Sequence, residues 1–94
     1  MNAYFVDGGV VNGRPPEQQV RIVELVLAQS RGQAKYLFWL AYRWDLDDLT
    51  TSWCERLRLI QRNVDSLPAG LLERTKNNFE AYDLLWRKAA EVVG

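Results

Sequence analysis

The residues of this chain best suited to chemistry are a group of arginines, a group of aspartates and a single cysteine. Arg56, Arg58 and Arg62 lie close together in sequence, and guanidinium groups bind phosphate oxygens well. They indicate one function, that of a small nucleic-acid-binding transcriptional regulator. The chain has 12 basic and 12 acidic residues, however, so it has no net charge that would attract a polyanion. Nucleic-acid binding is therefore the alternative function and not the leading one.

Asp45, Asp47 and Asp48 provide clustered carboxylates, which are ligands that hard divalent cations prefer. An EF-hand loop also requires a glycine and a distal glutamate at fixed positions, and the sequence has neither there. We expect these carboxylates to accept hydrogen bonds at the start of a helix instead. Cys54 is the only cysteine, and the chain has no histidine that could act as its base. The sequence thus predicts no catalytic residue, no metal and no cofactor.

Aromatic residues are concentrated in one segment, since five of the eleven fall between Tyr36 and Trp44. The spacing there predicts a helix over about 33–44 with two apolar stripes and almost no polar face. Such a helix is either the centre of a bundle or the docking surface for a partner. A chain of 94 residues has little length with which to cover one helix on all sides, which favours the partner. The predicted partner-binding residues are aromatic side chains of this helix and of the N-terminal segment: Phe38, Trp39, Tyr42, Tyr4 and Phe5.

A third function is a helical pocket for an apolar small ligand. It would be lined by Trp44, Trp53 and Trp86, because cavities rich in aromatic residues suit such ligands. Packing of the same tryptophans in a hydrophobic core explains them equally well. The sequence alone leaves both interpretations open.

Apolar residues recur at helical spacing in four segments, which predicts four helices. These helices span about 16–30, 33–44, 53–67 and 68–93. The last has the most regular pattern, with apolar positions alternately three and four residues apart, as in a packed helical seam. The members of that seam are Leu72, Thr75, Phe79, Tyr82, Trp86, Ala89 and Val93. The short turn at Pro68 and Gly70 predicts that the third and fourth helices form an antiparallel hairpin.

For the first of these segments a strand is the competing prediction, because Val20–Leu27 is rich in β-branched residues. Alternation of apolar and polar residues breaks at Val23 and Glu24, which favours the helix. Further toward the N-terminus, two short β-prone runs flank the turn signal Asp7-Gly8-Gly9. A two-stranded ribbon of that size is marginal by itself. We therefore predict that it forms an extended arm.

The predicted fold is all-α. Residues 15–94 form a small four-helix domain built on the antiparallel hairpin of the third and fourth helices, and residues 1–14 form a short extended N-terminal arm. The predicted function is a non-enzymatic protein-protein interaction module, an adaptor, regulator or inhibitor, that forms a homodimer and docks on a protein partner of unknown identity. A single cysteine and the lack of an apolar run of signal or membrane length predict a cytoplasmic protein without membrane contact.

Overall fold

A computed structural model describes residues 1–10, 21–43, 56–65 and 67–94 of the chain. In these residues four strands and two helices follow one another in the order β, β, α, β, β, α. The strands are β1 (Asn2–Val10), β2 (Arg21–Ala28), β3 (Arg56–Gln61) and β4 (Gly70–Leu71), and the helices are α1 (Arg31–Tyr42) and α2 (Phe79–Val93). The predicted all-α four-helix domain is therefore wrong. Neither of the two described helices is long and apolar enough to cross a lipid bilayer.

The four strands form one antiparallel sheet in the order β3-β1-β2-β4. Sheet side chains on one face pack with α1, and those on the other face pack with α2. The described residues are thus arranged in three layers, with the sheet between the two helices. Because both faces are covered, the central strands are apolar on both sides.

Strand β1 lies in the interior of the sheet, between β3 and β2. Ala3 and Phe5 pack on the α2 side, whereas Tyr4 and Val6 pack on the α1 side, and all four are buried. The extended arm predicted for residues 1–14 is therefore wrong for residues 2–10, and residues 11–14 lie outside the described part of the chain. A short β-prone run is marginal alone, but here it is paired along both edges and covered on both faces.

A β-bulge interrupts the pairing of β1 with β2. Asp7 pairs with Val23 and Gly9 pairs with the preceding residue of β2, which leaves Gly8 as the extra residue. Gly9 has a φ of 77°, in the left-handed region that glycine adopts without strain. The ring of Phe38 lies over Gly8, where an added Cβ would be 2.7 Å from the ring atom Cε1. The residues that looked like a turn are therefore the place where α1 packs directly on the sheet backbone.

Strand β2 takes the place of residues 21–28 of the predicted first helix, 16–30, whose first five residues lie outside the described part of the chain. Leu25 and Leu27 pack on the α2 side, Val26 and Ala28 pack on the α1 side, and all four are buried. A strand that is covered on both faces needs apolar residues at successive positions. The break in alternation therefore reflects burial on both faces and does not indicate a helix.

Helix α1 confirms the predicted second helix, with Arg31–Tyr42 helical against the expected 33–44. Ser30 precedes it, and its side chain accepts a hydrogen bond from a backbone amide of the first turn. This is the usual role of serine before a helix. Ala34 and Phe38 lie four residues apart on the buried side and face the sheet.

Strand β3 replaces the central part of the predicted third helix, 53–67, whose first residues lie outside the described part of the chain. Leu57 and Ile60 would share one side of a helix, but here Leu57 packs on the α1 side and Ile60 on the α2 side. The letters Arg-Leu-Arg-Leu at the start of β3 alternate as a strand does. Because β3 is a strand, the predicted antiparallel hairpin of two helices is also wrong.

Helix α2 begins at Phe79, so only the C-terminal part of the predicted helix 68–93 is helical. The side chain of Asn78 explains this start. Its amide oxygen accepts a hydrogen bond from the backbone N of Thr75, and its amide nitrogen donates to the backbone oxygen of Glu73. Such local bonds hold the preceding backbone in a turn and compete with a helical one.

The buried face of α2 is centred on Leu85 and Ala89. Tyr82, Trp86 and Val93 of the predicted seam lie beside this face and are partly buried. The predicted seam thus contains Ala89, one of the two central residues, but not Leu85, the other. The reason is that α2 packs on a sheet, whereas the seam describes a helix that packs along another helix.

Candidate functional site

Strand β3 forms one edge of the sheet, because in the described part of the chain it pairs with β1 alone. It is six residues long, whereas β4 at the opposite edge has two. An edge strand carries backbone N–H and C=O groups on its outer side that an added strand can use. We call this side of the molecule, with the side chains that flank it, the β3 edge.

Strand β3 presents different side chains to its two faces. Leu57 and Leu59 belong to the α1 side and are each partly buried. Arg56 and Arg58 alternate with them and are exposed, so they lie on the α2 side with Ile60. An added strand would therefore meet apolar side chains on one face and guanidinium groups on the other.

Helix α2 runs beside β3 in the opposite direction. Arg56 donates from Nη1 to the backbone oxygen of Val93 at 3.2 Å, and Lys88 donates from Nζ to Oε1 of Gln61 at 2.8 Å. The bond of Arg56 is favourable because the carbonyl groups at a helix C-terminus carry partial negative charge. The two bonds hold the C-terminal half of α2 along the β3 edge.

Helix α1 reaches the same edge from the other face of the sheet. Arg31 donates from Nη2 to the backbone oxygen of Leu57 at 3.1 Å. Positive side chains therefore lie on β3, directly after it, or hydrogen-bonded to it: Arg31, Arg56, Arg58, Arg62 and Lys88. Since the whole chain has no net charge, this is a local concentration of positive charge.

Two apolar side chains of α2 are exposed. Leu84 is 54% exposed and Val92 is 48% exposed. The buried face of α2 contains Leu85 and Ala89, so helical geometry turns Leu84 away from the sheet. Val92 adjoins Val93, whose backbone oxygen accepts the hydrogen bond from Arg56.

Most of the aromatic residues predicted to bind a partner are inside the molecule. Phe38, Tyr4 and Phe5 are 0%, 4% and 7% exposed, so a partner cannot reach them in this conformation. Trp39 and Tyr42 are partly buried against the cluster on the α1 side. The sheet covers much of the aromatic stripe of α1. In the predicted helical bundle, a second molecule would have been needed to cover it.

The structure gives local partners to the two aromatic side chains of this set that are partly buried. The hydroxyl of Tyr42 donates to the carboxylate of Glu24 on β2, and the ring of Trp39 stacks on Tyr36 with centroids 6.4 Å apart. The apolar side chains that α1 exposes are Tyr36, at 51%, and Leu40, at 38%. They were not among the predicted site residues, because the outward face of α1 can be identified only once the sheet shows which face is buried.

The arginines predicted for nucleic-acid binding lie together, but on a different element. Arg56 and Arg58 are on strand β3 and Arg62 directly follows it, whereas the sequence placed all three on a helix. All three are exposed. If the segment had been interpreted as a strand, in which side chains alternate between faces, Arg56 and Arg58 would have been assigned to one face and Leu57 and Leu59 to the other.

An ion pair between a buried carboxylate and a half-exposed guanidinium group, which the sequence did not indicate, lies at the bulge of β1. Oδ2 of Asp7 is 2.6 Å from Nη1 of Arg21, and Oδ1 accepts a hydrogen bond from the backbone N of Gly9 at 2.9 Å. The Asp7 side chain is 6% exposed and that of Arg21 is 50% exposed. Both carboxylate oxygens are thus engaged, and the pair stabilises the bulge. Asp7 also lies opposite Arg56 in the register of β1 and β3.

The described residues contain no group of three or more aspartate, glutamate, cysteine or histidine side chains that could hold a metal ion. The ring of Trp86 contacts Phe5 edge to face, with centroids 6.2 Å apart, and packs against the core. The other residues named for a metal, a thiol or an aromatic pocket lie outside the described part of the chain: Trp44, Asp45, Asp47, Asp48, Trp53 and Cys54.

No known family model matches the chain, and no curated protein or solved structure is significantly similar to it. Its function is therefore inferred from the geometry of the β3 edge.

Proposed function

We propose that this protein is a non-enzymatic interaction module that binds a protein partner through the β3 edge. The observation that carries the proposal is a six-residue edge strand that, in the described residues, is paired on one side only. In strand addition the main-chain hydrogen bonds supply affinity, and alternating side chains supply specificity. The β3 edge has outer backbone groups, of which the oxygen of Leu57 is shared with Arg31, and it is flanked by leucines on one face and arginines on the other.

Nucleic-acid binding is the second candidate function, and the exposed Arg56, Arg58 and Arg62 favour it. Affinity that comes from phosphate contacts falls steeply with added salt, which would identify this function. The protein partner is preferred for two reasons. Arg56 already donates to the C-terminus of α2, and the apolar face formed by Leu57 and Leu59 suits a peptide better than a phosphate backbone.

A homodimer remains a separate prediction. Exposed apolar side chains at helix surfaces are often where chains associate, and Tyr36 and Leu40 of α1 are such side chains here. Static light scattering over a concentration series measures this directly. A mass that rises to twice that of the single chain supports the homodimer, and a constant mass of one chain contradicts it.

A selection of random short peptides displayed on phage tests the proposed function. Backbone amide chemical shifts of the protein, recorded with and without a selected peptide, show where it binds. We expect the largest changes in Arg56–Gln61, with the amides near Tyr36 and Leu40 little affected. Shifts concentrated on α1, or a selection that yields no binding peptide, would contradict the proposal.

A further inference from the structure

We infer that the partner of the β3 edge is an extended acidic segment that pairs with β3 as a fifth strand of the sheet. The inference rests on the proposed function and specifies the chemistry of the partner. Alternate residues of the added strand would carry carboxylates toward the α2 side, where Arg58 is exposed. The residues between them would be apolar and would contact Leu57 and Leu59.

The charge of the edge is the first reason. The cations come from three different elements and converge on β3: Arg58 lies on the strand, Arg31 of α1 bonds to the backbone of Leu57, and Lys88 of α2 bonds to Gln61. Complementary charge raises the rate of association and excludes partners of the wrong sign. An acidic segment is therefore favoured over a neutral or basic one.

The spacing of the arginines is the second reason. Alternate residues of a strand lie on the same face about 6.8 Å apart, and a strand paired with it has the same repeat. Carboxylates on alternate residues of the added strand therefore all lie on the face of Arg58, and Arg56 on that face stays bonded to the C-terminus of α2. Opposite charges on directly opposed residues stabilise strand pairing.

A second copy of β3 is a poor occupant of the same edge. In antiparallel pairing, directly opposed residues lie on the same face of the sheet. If the two-fold axis passes beside Leu57, Arg56 lies opposite Arg58 of the other copy, and if it passes beside Arg58, that arginine lies opposite itself. Like charges that are directly opposed are destabilising. The arginines thus discourage self-pairing while they attract an acidic strand.

The apolar contacts are the third reason for a peptide strand. Leu57 and Leu59 are only partly buried on one face of β3, so they can still bury apolar side chains of an added strand. A strand of alternating acidic and apolar residues can cover the leucines of β3 while its carboxylates lie on the α2 side with Arg58 and Lys88. Apolar burial adds to the main-chain hydrogen bonds and is not screened by salt.

The test uses a fluorescein-labelled peptide of alternating glutamate and valine, long enough to span β3, with binding measured by fluorescence anisotropy. We expect the matching lysine-valine peptide to bind at least about tenfold more weakly, because it meets like charge. Two N-methylated forms of the acidic peptide, methylated on the valines or on the glutamates, report strand pairing. Successive amides of a strand point to opposite edges, so one form should lose binding at least about tenfold and the other should keep it.

Variants of the protein locate the site. Arg58→Glu should weaken the glutamate-valine peptide at least about tenfold and should strengthen the lysine-valine peptide. The matched control is Arg87→Glu, an exposed arginine that helical geometry places on the side of α2 turned away from the sheet, and it should change neither affinity. Circular dichroism of each variant checks that the fold is kept. A reversal of preference in Arg58→Glu cannot come from unfolding.

The outcomes separate this inference from the proposed function. Equal binding of glutamate-valine, lysine-valine and threonine-valine peptides, with one N-methylated form still defective, overturns the acidic partner and leaves strand addition intact. No binding by any of these peptides overturns both. Tighter binding of a labelled single-stranded DNA than of the acidic peptide overturns the inference in favour of nucleic acid. A dimer that Arg58→Glu makes tighter while peptide binding is lost assigns the edge to a second copy and overturns it as well.

Discussion

The two edge strands of the sheet differ in length and in the side chains that flank them. At one edge, β4 has only two residues, and the backbone N of Leu72 then donates to the oxygen of Leu25 at 2.8 Å. The side chain of Leu72 is buried in the core. At the other edge, β3 has six residues and is flanked by exposed arginines. A buried apolar side chain therefore follows the β4 edge strand, whereas exposed charged side chains flank the β3 edge.

Among the described residues, β3 is held in place by its pairing with β1 and has no strand partner on its outer side. Burial of Leu72 fixes the β4 edge, because withdrawing an apolar side chain from water is the largest favourable term in folding. Charged side chains on the β3 edge contribute little to folding, but they limit pairing with the wrong strand. We therefore expect substitutions at the β4 edge to affect mainly stability and those at the β3 edge mainly binding.

A matched pair of leucines gives the largest expected difference. Leu72→Ala should lower the free energy of unfolding by about 3 kcal/mol, because it leaves a cavity in the core. Leu59→Ala should lower it by about 1 kcal/mol, because Leu59 is only partly buried on β3. Urea denaturation of both variants measures the two values. Equal losses would show that the β3 edge is packed as tightly as the β4 edge.

A substitution in β1, at the centre of the sheet, gives a stability change with which the changes at the two edges can be compared. Gly8→Ala should lower the free energy of unfolding by about 2 kcal/mol, because the added Cβ would lie 2.7 Å from the buried ring of Phe38. Gly32→Ala on α1 is the control, since a Cβ there meets nothing within 4 Å. It should raise stability by up to about 1 kcal/mol. Thermal unfolding of both variants checks this, and a harmless Gly8→Ala would refute the close packing of α1 on the bulge.

The ion pair at the bulge should have a smaller effect than core packing. Arg21→Gln leaves the carboxylate of Asp7 buried without its guanidinium partner, but the Arg21 side chain is half exposed and solvent screens the pair. We expect a loss of about 1 kcal/mol in the free energy of unfolding. Urea denaturation at low and high salt measures it, and the difference from the unsubstituted protein should shrink at high salt. An unchanged stability at low salt would show that the bulge does not depend on this pair.

Substitution of an edge arginine should have the smallest effect on folding. Arg58→Ala should change the free energy of unfolding by less than about 0.5 kcal/mol, because the side chain is exposed. It should nevertheless increase self-association, because the charge that limits pairing of β3 with another β3 is reduced. Light scattering of concentrated solutions of Arg58→Ala and of the control Arg87→Ala makes the comparison. Equal scattering would show that Arg58 does not protect the edge.

Helix α1 and the C-terminal part of the last predicted helix were predictable, whereas the strands were not. Helix α1 was expected within two residues of its start at Arg31, because apolar residues recur there at helical spacing. Strand β2 was missed because Leu25–Ala28 is buried on both faces, so its apolar residues do not alternate. Strand β3 was missed because Leu57 and Ile60 happen to be spaced as on a helix. Which face a strand presents to a neighbour depends on contacts that are distant in sequence.

The residues of the site were recognised in part. Arg58 and Arg62 were identified as exposed cations, but their position on a sheet edge follows only from the pairing of β3 with β1. Lys88 and Arg31 join them through hydrogen bonds between elements, and no local pattern indicates such bonds. The aromatic side chain of Phe38 was assigned to a surface because the covering sheet was not anticipated.

The position of β1 in the sheet also affects how the protein is made. Strand β1 is synthesised before the other described elements. Its neighbour β3 lies more than 40 residues later in the chain, after β2 and α1. Val6 therefore cannot meet Leu57 until most of the chain has been translated. During that interval a nascent hairpin of β1 and β2 would leave an apolar strand unpaired, which is the kind of surface that chaperones bind. Pairing over so long a separation makes folding slow compared with that of a helical bundle of the same size.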